Sequence, residues 1–534
     1  MNINGLIGYE IFVESFYDSN NDGIGDLKGI SLKLDYLKTL GVTLLWLTPF
    51  NSSPQVDNGY DVSDYYSVDK RYGTIDDLKE LLDEAHKRGI KIIMDFVMNH
   101  TSDEHEWFEL SRKRIEPYND FYIWRDKPNN WIGFAGDAWK YDDVRKQYYF
   151  HIFNEHQPDL NYQNPMVLSS MLEVAEYYLK LGIDGFRLDA VSHLAKEKTF
   201  RNSLKCKKGE IDTNKYSNRK EVFEYLRPLK KLSEKYNAII VGEVGGNAGT
   251  RLLKKFTNYK DGVMDIAFTF NQTWMNDMYG IEDASNIKGK MFTPKRFIHE
   301  YMNIYKALHK NSQMVNYWLN HDHPRLASHY GDENNPYSLS ALAGLLYLLP
   351  GMPFIYYGEE IGMHNIEYTS IDEFHDAYAI EYLKEDDSLK RVKHLNRVNR
   401  DSSRGVMEWD SGKYLGFSDV VPFRSIGKGC HQVALKQFND ESSLFNFYRK
   451  IIEIRKSEEF YFINHPDKLI MKPVQDKGIY YKIVKGNKVL EVYVNLTDTY
   501  LQNLKIDKKN LLISNFSTFS GNLEPYQIVV FTNF

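Results

Sequence analysis

IDGFRLDAV, residues 183–191, is an apolar run carrying an arginine and an aspartate two residues apart. On a strand, Arg187 and Asp189 point to one face, while Phe186, Leu188 and Ala190 point to the other. Opposite charges on one face of an apolar strand lose hydration unless they are paired or used. Taken alone, the pair is either a buried structural ion pair or part of a site. The run is one of eight: GYEIFVESF (8–16), VTLLWLTP (42–49), IKIIMDFVMNH (90–100), IDGFRLDAV (183–191), AIIVGEV (238–244), GVMDIAFTF (262–270), MVNYWLNHD (314–322) and PFIYYGEE (353–360). The segments between them have helical spacing. Ile75, Leu78, Leu82 and Ala85 share one helix face, and Val167, Met171, Val174 and Tyr178 share another. Strand and helix alternating in this way predict a (β/α)8 TIM barrel, an α/β fold.

Polar residues gather at the carboxyl ends of these strands: Asn99 and His100 on the third, Asp189 on the fourth, Glu243 on the fifth, Asp322 on the seventh and Glu359 on the eighth. That rim carries the active site in barrels of this kind, so converging carboxylates there argue for catalysis. The rhythm breaks twice. Residues 102–163, rich in Trp, Tyr, His and Asp, are too long for a plain connection and are expected to form an inserted domain B. A second excursion spans about 361–440, before a helix at 441–456. After about residue 460, alternating runs such as IYYKIV (479–484) and KVLEVYVNL (488–496) predict a small antiparallel β domain. The expected division is therefore barrel at 1–101 and 164–458, inserted domain at 102–163 and C-terminal β domain at 459–534.

The chain of 534 residues has a net charge of −6, with 42% hydrophobic and 26% charged residues. This is a globular composition without a basic face, so nucleic acid is not an expected partner. No apolar run reaches the roughly 18 residues that cross a membrane. The opening MNINGLIGYEIFVESF lacks the marks of a signal peptide. Cys206 and Cys430 are the two cysteines. They are far apart and in no motif, which suggests a reducing compartment. The expected setting is cytoplasmic, for a monomer or small homo-oligomer. Aromatic residues make up 14% of the chain, compatible with an ordinary core and equally with faces for sugar rings.

Two carboxylates at one barrel mouth are what hydrolysis of a glycosidic bond requires: an ionised nucleophile, and an acid that protonates the leaving oxygen. Arg187 beside Asp189 would keep that carboxylate ionised by lowering its pKa. Glu243, after four apolar residues, is placed where partial burial would raise its pKa, as an acid needs. Asp322 adjoins His321 in LNHDHPR, and His100 follows Asn99 in DFVMNHTS; the histidines suit hydrogen bonds to sugar hydroxyls. A zinc cluster would need close histidine ligands such as HExxH, which the sequence does not contain.

DFVMNHTS, GFRLDAV, VGEV and LNHD resemble, in order and on the expected strands, the four signature segments of the α-amylase family, glycoside hydrolase family 13. The resemblance runs over essentially the whole chain. It implies Asp189 as nucleophile, Glu243 as acid/base, and Asp322 as a third carboxylate binding sugar hydroxyls in the transition state. Arg187, His100 and His321 would hold the sugar at the −1 subsite. QPDLNY (157–162) is similar to a fifth segment of oligo-1,6-glucosidases, α-glucosidases and trehalose synthases. VDNGYD (56–61) resembles the exo-acting segment, implying that Asp57 grips the non-reducing-end glucose and Tyr60 stacks under its ring. In NRDSSRGVMEWD (399–410), Arg400 and Arg404 match two arginines of that group, and Arg404 would close the pocket with Asp57. Three places depart from the pattern: His323 stands for the usual Gln, Tyr162 for Trp, and Gly405–Trp409 for Thr-Pro-Met-Gln-Trp. Alanine at the position of Ala190 goes with α-1,4 preference in similar proteins, and valine with α-1,6.

DSNNDGIGD (18–26) repeats the oxygen spacing of a Ca²⁺ loop, with Asp18, Asn20, Asp22, Asp26 and the Ile24 carbonyl as candidate ligands and Gly23 at the turn. Gly29 replaces the twelfth-position Glu, so the loop is no EF-hand. A solvated Asn/Asp turn is the plainer reading. The resemblance implies a structural Ca²⁺ there, with no organic cofactor. The expected activity is that of a retaining, exo-acting α-glucosidase on short oligosaccharides or disaccharides, α-1,4 before α-1,6. A trehalose synthase-like transglycosylase or isomerase, or an oligo-1,6-glucosidase, is the alternative on the same chemistry. A non-catalytic carbohydrate-binding homologue would have lost carboxylates that this chain keeps.

Overall fold

The computed structural model describes every residue except 1, 2, 4, 246–247, 271–291, 386–387, 428–432, 505 and 507–509. Cys430 lies outside the described residues; Cys206 is a buried free thiol. The eight apolar runs form strands β1 (Gly8–Ile11), β2 (Leu44–Leu47), β3 (Lys91–Val97), β4 (Gly185–Asp189), β5 (Ile239–Val244), β6 (Ile266–Thr269), β7 (Val315–Asn316) and β8 (Met352–Tyr356). Their order in one sheet is β6-β5-β4-β3-β2-β1-β8-β7, and the pairings are parallel. Each strand thus lies beside its neighbour in sequence, the arrangement of a nearly closed (β/α)8 barrel. By compactness the chain divides into two units, Trp46–His86 with Lys91–Asn271, and Asn2–Leu45 with Lys87–Ile90 and Gln272–Phe534.

In the first unit, β4 lies between β3 and β5, with Gly185 opposite Ile93 and Ile239. Gly185 has φ +154°, and a Cβ there would sit 2.0 Å from the Ile239 carbonyl oxygen, so only glycine fits. Phe186 and Leu188 are fully buried. The helix Pro165–Leu181 starts where Asn164 Oδ1 accepts from Met166 N at 3.0 Å and Pro165 takes the first turn; it ends at Gly182, φ +110°. Its Val167, Met171, Val174 and Tyr178 are all buried, as their spacing predicts. In the helix Ile75–Lys87, Leu78, Leu82 and Ala85 are buried together with Leu81, while Ile75, in the first turn, stays partly exposed.

Residues 102–163 contain an antiparallel sheet in the order Trp124–Arg125, Gln147–Phe150, Trp139–Asp142. Their small core joins Ile123, Trp131, Trp139, Phe150 and Ile152 to Phe200 and Tyr216, from the segment after β4. The insertion therefore does not bury its apolar residues alone. So few strands supply too little core, and a later stretch of chain completes it.

In the second unit, the C-terminal strands β9 (Lys468–Val474), β10 (Gly478–Lys485), β11 (Lys488–Asn495), β12 (Leu511–Ser514) and β13 (Ile528–Thr532) form an antiparallel sheet, order β9-β10-β11-β13-β12. The alternation in IYYKIV and KVLEVYVNL is that of its buried face: Ile479, Tyr481, Ile483, Leu490, Val492 and Val494. β7 is shorter than its apolar run suggests. Asn316 Nδ2 donates to the carbonyls of Leu346, Leu349 and Pro350, and Trp318 Nε1 to that of Leu342. These bonds tie the run to the end of the helix Pro336–Tyr347 and to its last carbonyls rather than to a longer ladder.

Glu359 does not join the rim carboxylates. Gly358, φ +79°, turns the chain into a 3₁₀ turn, Glu359–Ile361, that buries the side chain. Glu359 Oε1 accepts from Tyr347 OH at 2.6 Å and Tyr448 OH at 2.8 Å. Burial pushes its carboxyl up to about 8, so it is a neutral structural acid at pH 7.

Candidate active site

The centre of the first unit is Arg187. Its strand partner in register is Asp95 on β3, and Nη1 donates to Asp95 Oδ1 at 2.8 Å and to Asp189 Oδ1 at 2.9 Å. Nη2 donates to Glu243 Oε2. The guanidinium carbon lies 4.9 Å from the Trp46 ring centroid. Burial opposes the charge on Arg187, but Asp95, Glu243, Tyr60 and Asp189 around it hold it protonated, well above its usual range. Burial pushes Asp95 up, while Arg187, Tyr60 OH (2.8 Å) and Trp46 Nε1 (3.0 Å) donate into its carboxylate and pull the other way. The Asp95 and Arg187 side chains are 0% and 1% exposed, whereas Asp189 and Glu243 keep 13% and 15%. The buried partner of Arg187 is thus Asp95, with Asp189 at the more exposed edge. Arg187 is half of a buried structural ion pair, and it presents two carboxylates toward solvent.

Ala190 follows Asp189 in left-handed geometry, φ 44°, ψ 28°, and opens a 3₁₀ turn. The chain has left the strand there, which removes the alternation that would point residue 190 away from Asp189. Asp57 Oδ2 accepts from Gln157 Nε2 at 3.2 Å, and Gln157 also lies 3.1 Å from His100 Nε2. Asp61, buried, accepts from Val56 N at 2.8 Å and Asp57 N at 2.9 Å, fixing the backbone that carries Asp57. Burial pushes Asp61 up to about 6 and holds His100 down at about 4. Phe153 packs against His100, ring centroids 5.3 Å apart, and against Phe134 at 5.4 Å, forming an aromatic wall. Lys196 Nζ is met by Asp159 Oδ2 (2.6 Å), Asn99 Oδ1 (2.9 Å) and the His193 carbonyl (2.8 Å). This buried ion pair ties QPDLNY to the ends of β3 and β4. Tyr162 is buried, with its OH on the Met98 carbonyl at 2.7 Å.

The second unit holds the remaining candidates. Asp322 Oδ1 accepts from Arg404 Nη2 at 3.2 Å and Arg400 Nη1 at 3.3 Å, with His321 Nε2 3.4 Å from Oδ2. Burial alone would raise the Asp322 carboxyl, but His321, Arg400, Arg404 and His323 hold it well below the usual carboxylate range. Arg400 is anchored on Asp376 Oδ1 (2.9 and 2.7 Å), Arg404 Nε on the His321 carbonyl (2.9 Å), and His321 Nδ1 on Glu10 Oε1 (2.6 Å). His323 is buried against Asn320 and Tyr317.

Asp95, Gln157, Phe134, Phe153, Lys196, Glu10 and Asp376 were not singled out from sequence. Asp95 and Glu10 carried the same signal as Arg187, a charge inside an apolar strand. Gln157 stood in a segment already quoted, but its bridge between Asp57 and His100 spans 100 residues of sequence.

In the loop 18–26, Asp18 accepts from Asn21 N (2.7 Å), Gly23 N (2.8 Å) and Ser418 Oγ (2.6 Å), Asp22 from Ile24 N (2.9 Å), and Asp26 from Gly29 N and Ser19. Among the described residues no three His, Cys, Asp or Glu side chains gather where one metal ion would bind. The oxygens of the loop suit Ca²⁺ chemically, but their hydrogen bonds are those of successive turns and a helix cap.

Residues 10–463 match the alpha-amylase catalytic domain. The chain belongs to the alpha-amylase family and is a glycoside hydrolase. It is 35% identical to the oligo-1,6-glucosidase of Bacillus cereus, with 98% of each chain covered. It is 36% identical to the trehalose-6-phosphate hydrolase of Bacillus subtilis strain 168, over 84% of this chain and 82% of that one. Among solved structures, the trehalose-6-phosphate hydrolase of Bacillus licheniformis superposes with TM-score 0.90 at 32% identity, covering 99% of both chains. The isomaltulose synthase of Klebsiella sp. LX3 gives 0.91 at 28% identity, covering 100% of this chain and 99% of that one.

Proposed function

We propose that the protein is a retaining, exo-acting α-glucosidase that releases glucose from the non-reducing end of short α-glucosides, with α-1,4 links preferred over α-1,6. The supporting observation is the single Arg187 guanidinium whose two terminal nitrogens hold Asp189 and Glu243. Carboxylates on adjacent nitrogens of one group lie a few ångströms apart. A pair of carboxylates held side by side in this way is what hydrolysis of a glycosidic bond uses. Asp189 attacks the anomeric carbon while Glu243 protonates the departing oxygen. Water then hydrolyses the glycosyl-enzyme with Glu243 as base. Asp322, held ionised by Arg400 and Arg404, accepts hydrogen bonds from the sugar hydroxyls. Asp57, positioned by Gln157 and Asp61, receives the terminal glucose, with His100 as a hydroxyl ligand and Tyr60 under the ring. The small Ala190 leaves room for a +1 sugar linked through a ring carbon. The loop at 18–26 holds a structural Ca²⁺, and the buried thiol of Cys206 suits a reducing, cytoplasmic setting.

The test is the ratio of kcat/KM for maltose over isomaltose, expected above one; a faster isomaltose reaction rejects the linkage preference. A second reading, transfer of the glycosyl group to another sugar hydroxyl, is favoured by the likeness to the isomaltulose synthase. Product analysis on sucrose separates the two, since hydrolysis yields glucose and fructose, and transfer a new disaccharide.

A further inference from the structure

A second cleft, of about 670 Å³, opens in the first unit between the sheet of residues 102–163 and the segment after β4. Its volume is that of a small-ligand site. Arg125, Lys127, Arg145 and Lys198 line it, against the carboxylates Asp120 and Asp126. Arg145 is buried, and its guanidinium meets mostly neutral acceptors: the carbonyls of Ser111 and Asn119 and Gln147 Oε1, with Asp120 no nearer than 3.9 Å. Asp126 accepts from Gln147 Nε2 at 2.8 Å. Arg125 has no carboxylate partner among the described residues. Its guanidinium lies 4.7 Å from the ring centroid of Phe200, which stacks in turn on Trp131 at 5.0 Å. Phe200 holds this place at φ +51°, a conformation that a bulky residue adopts only under constraint. A planar guanidinium, stacked and short of counter-charge, with two exposed lysines beside it, is the arrangement that recognises phosphate by paired hydrogen bonds. In a chain of net charge −6, this local excess of cations is a departure.

We propose that this cleft is an accessory site for a phosphate monoester or free phosphate, separate from the Asp189–Glu243 site, with Arg125 as the main ligand and Lys198 as a second. The experiment is calorimetric titration of the whole protein with inorganic phosphate, glucose 6-phosphate and glucose, while an iminosugar inhibitor fills the catalytic site. Saturable binding of phosphate-bearing probes but not glucose is expected. Arg125→Gln and Lys198→Gln should each weaken that binding at least tenfold, with hydrolysis of an aryl glucoside and Tm unchanged. Binding of inorganic phosphate as tight as glucose 6-phosphate identifies free phosphate as the ligand; tighter binding of the ester identifies the phosphosugar. No binding at millimolar probe, binding abolished by the inhibitor, or binding unchanged in both variants overturns the proposal. Lys198 is exposed, so its variant keeps the test valid should Arg125→Gln unfold the sheet.

Discussion

Ala190 shows how much one residue's backbone decides. Its φ of 44° takes the position out of strand alternation directly after Asp189, the proposed nucleophile. A valine there gains crowding toward the +1 sugar and also strain, because β-branched residues rarely adopt positive φ. Ala190→Val is expected to shift the kcat/KM ratio toward isomaltose by about 1–3 kcal/mol, the size of one or two methyl groups in a pocket, and to lower Tm. Steady-state kinetics on both disaccharides and a melting curve check the two effects separately. For the carboxylates, Asp189→Asn should remove nearly all turnover. Glu243→Gln should slow natural substrates by about 10²–10⁴-fold while sparing the first step on an activated aryl glucoside. Equal losses on both kinds of substrate in pre-steady-state measurements would remove Glu243 from the acid role.

At the scale of elements, His105 caps the helix Glu106–Arg112 by accepting from Trp107 N at Nδ1, 3.0 Å away, which only an Nδ1 without a proton can do. Burial holds His105, His100 and His193 down at about 4, below the 6.5 or so of an exposed histidine. Between those values the unfolded chain binds protons that the folded chain does not, so stability is fully present above about pH 6.5 and falls as the pH drops toward 4. His105→Asn keeps a capping oxygen without a titrating ring. It should flatten the dependence of Tm on pH between 4 and 6.5, changing stability at pH 7 by about 1 kcal/mol or less; an unchanged slope would show that His105 does not contribute. The loop 18–26 has its own test. A chelator is expected to lower Tm by removing Ca²⁺, and Asp22→Ala to abolish that response. A Tm indifferent to both would mark the loop as a hydrogen-bonded turn alone.

At the scale of the whole molecule, Glu359 joins the exit of β8 to the helix Pro336–Tyr347 through Tyr347 and to the final helix, Leu444–Lys456, through Tyr448. Its carboxyl, raised to about 8, keeps a proton that the unfolded chain releases near 4.5. The stability it contributes is therefore present below the unfolded value and is lost as the pH rises toward 8. Glu359→Gln should make the protein less sensitive to alkaline pH, read as a smaller fall in Tm from pH 6 to 9. The proposed one-glucose pocket has a consequence at this scale too. Maltotriose should be a good substrate and starch a poor one, and rapid loss of starch viscosity with little free glucose would contradict it.

The sequence by itself determined the eight strands and the helices between them, because periods of 2 and 3.6 are local and survive without any partner. It also singled out Arg187, Asp189 and Glu243 as candidates, charges at the ends of apolar strands, and the fold brings the three into contact. Tertiary structure alone decided the partners. Asp95 meets Arg187 through strand register, Gln157 reaches Asp57 and His100 across long sequence distance, and Phe200 and Tyr216 complete a core begun 70 residues earlier. It also separated two glutamates that look alike as letters: Glu243, partly exposed on Arg187, and Glu359, neutral and buried between two tyrosines. Burial and charge partners set what a carboxylate does, and both belong to the packed chain rather than to its local pattern.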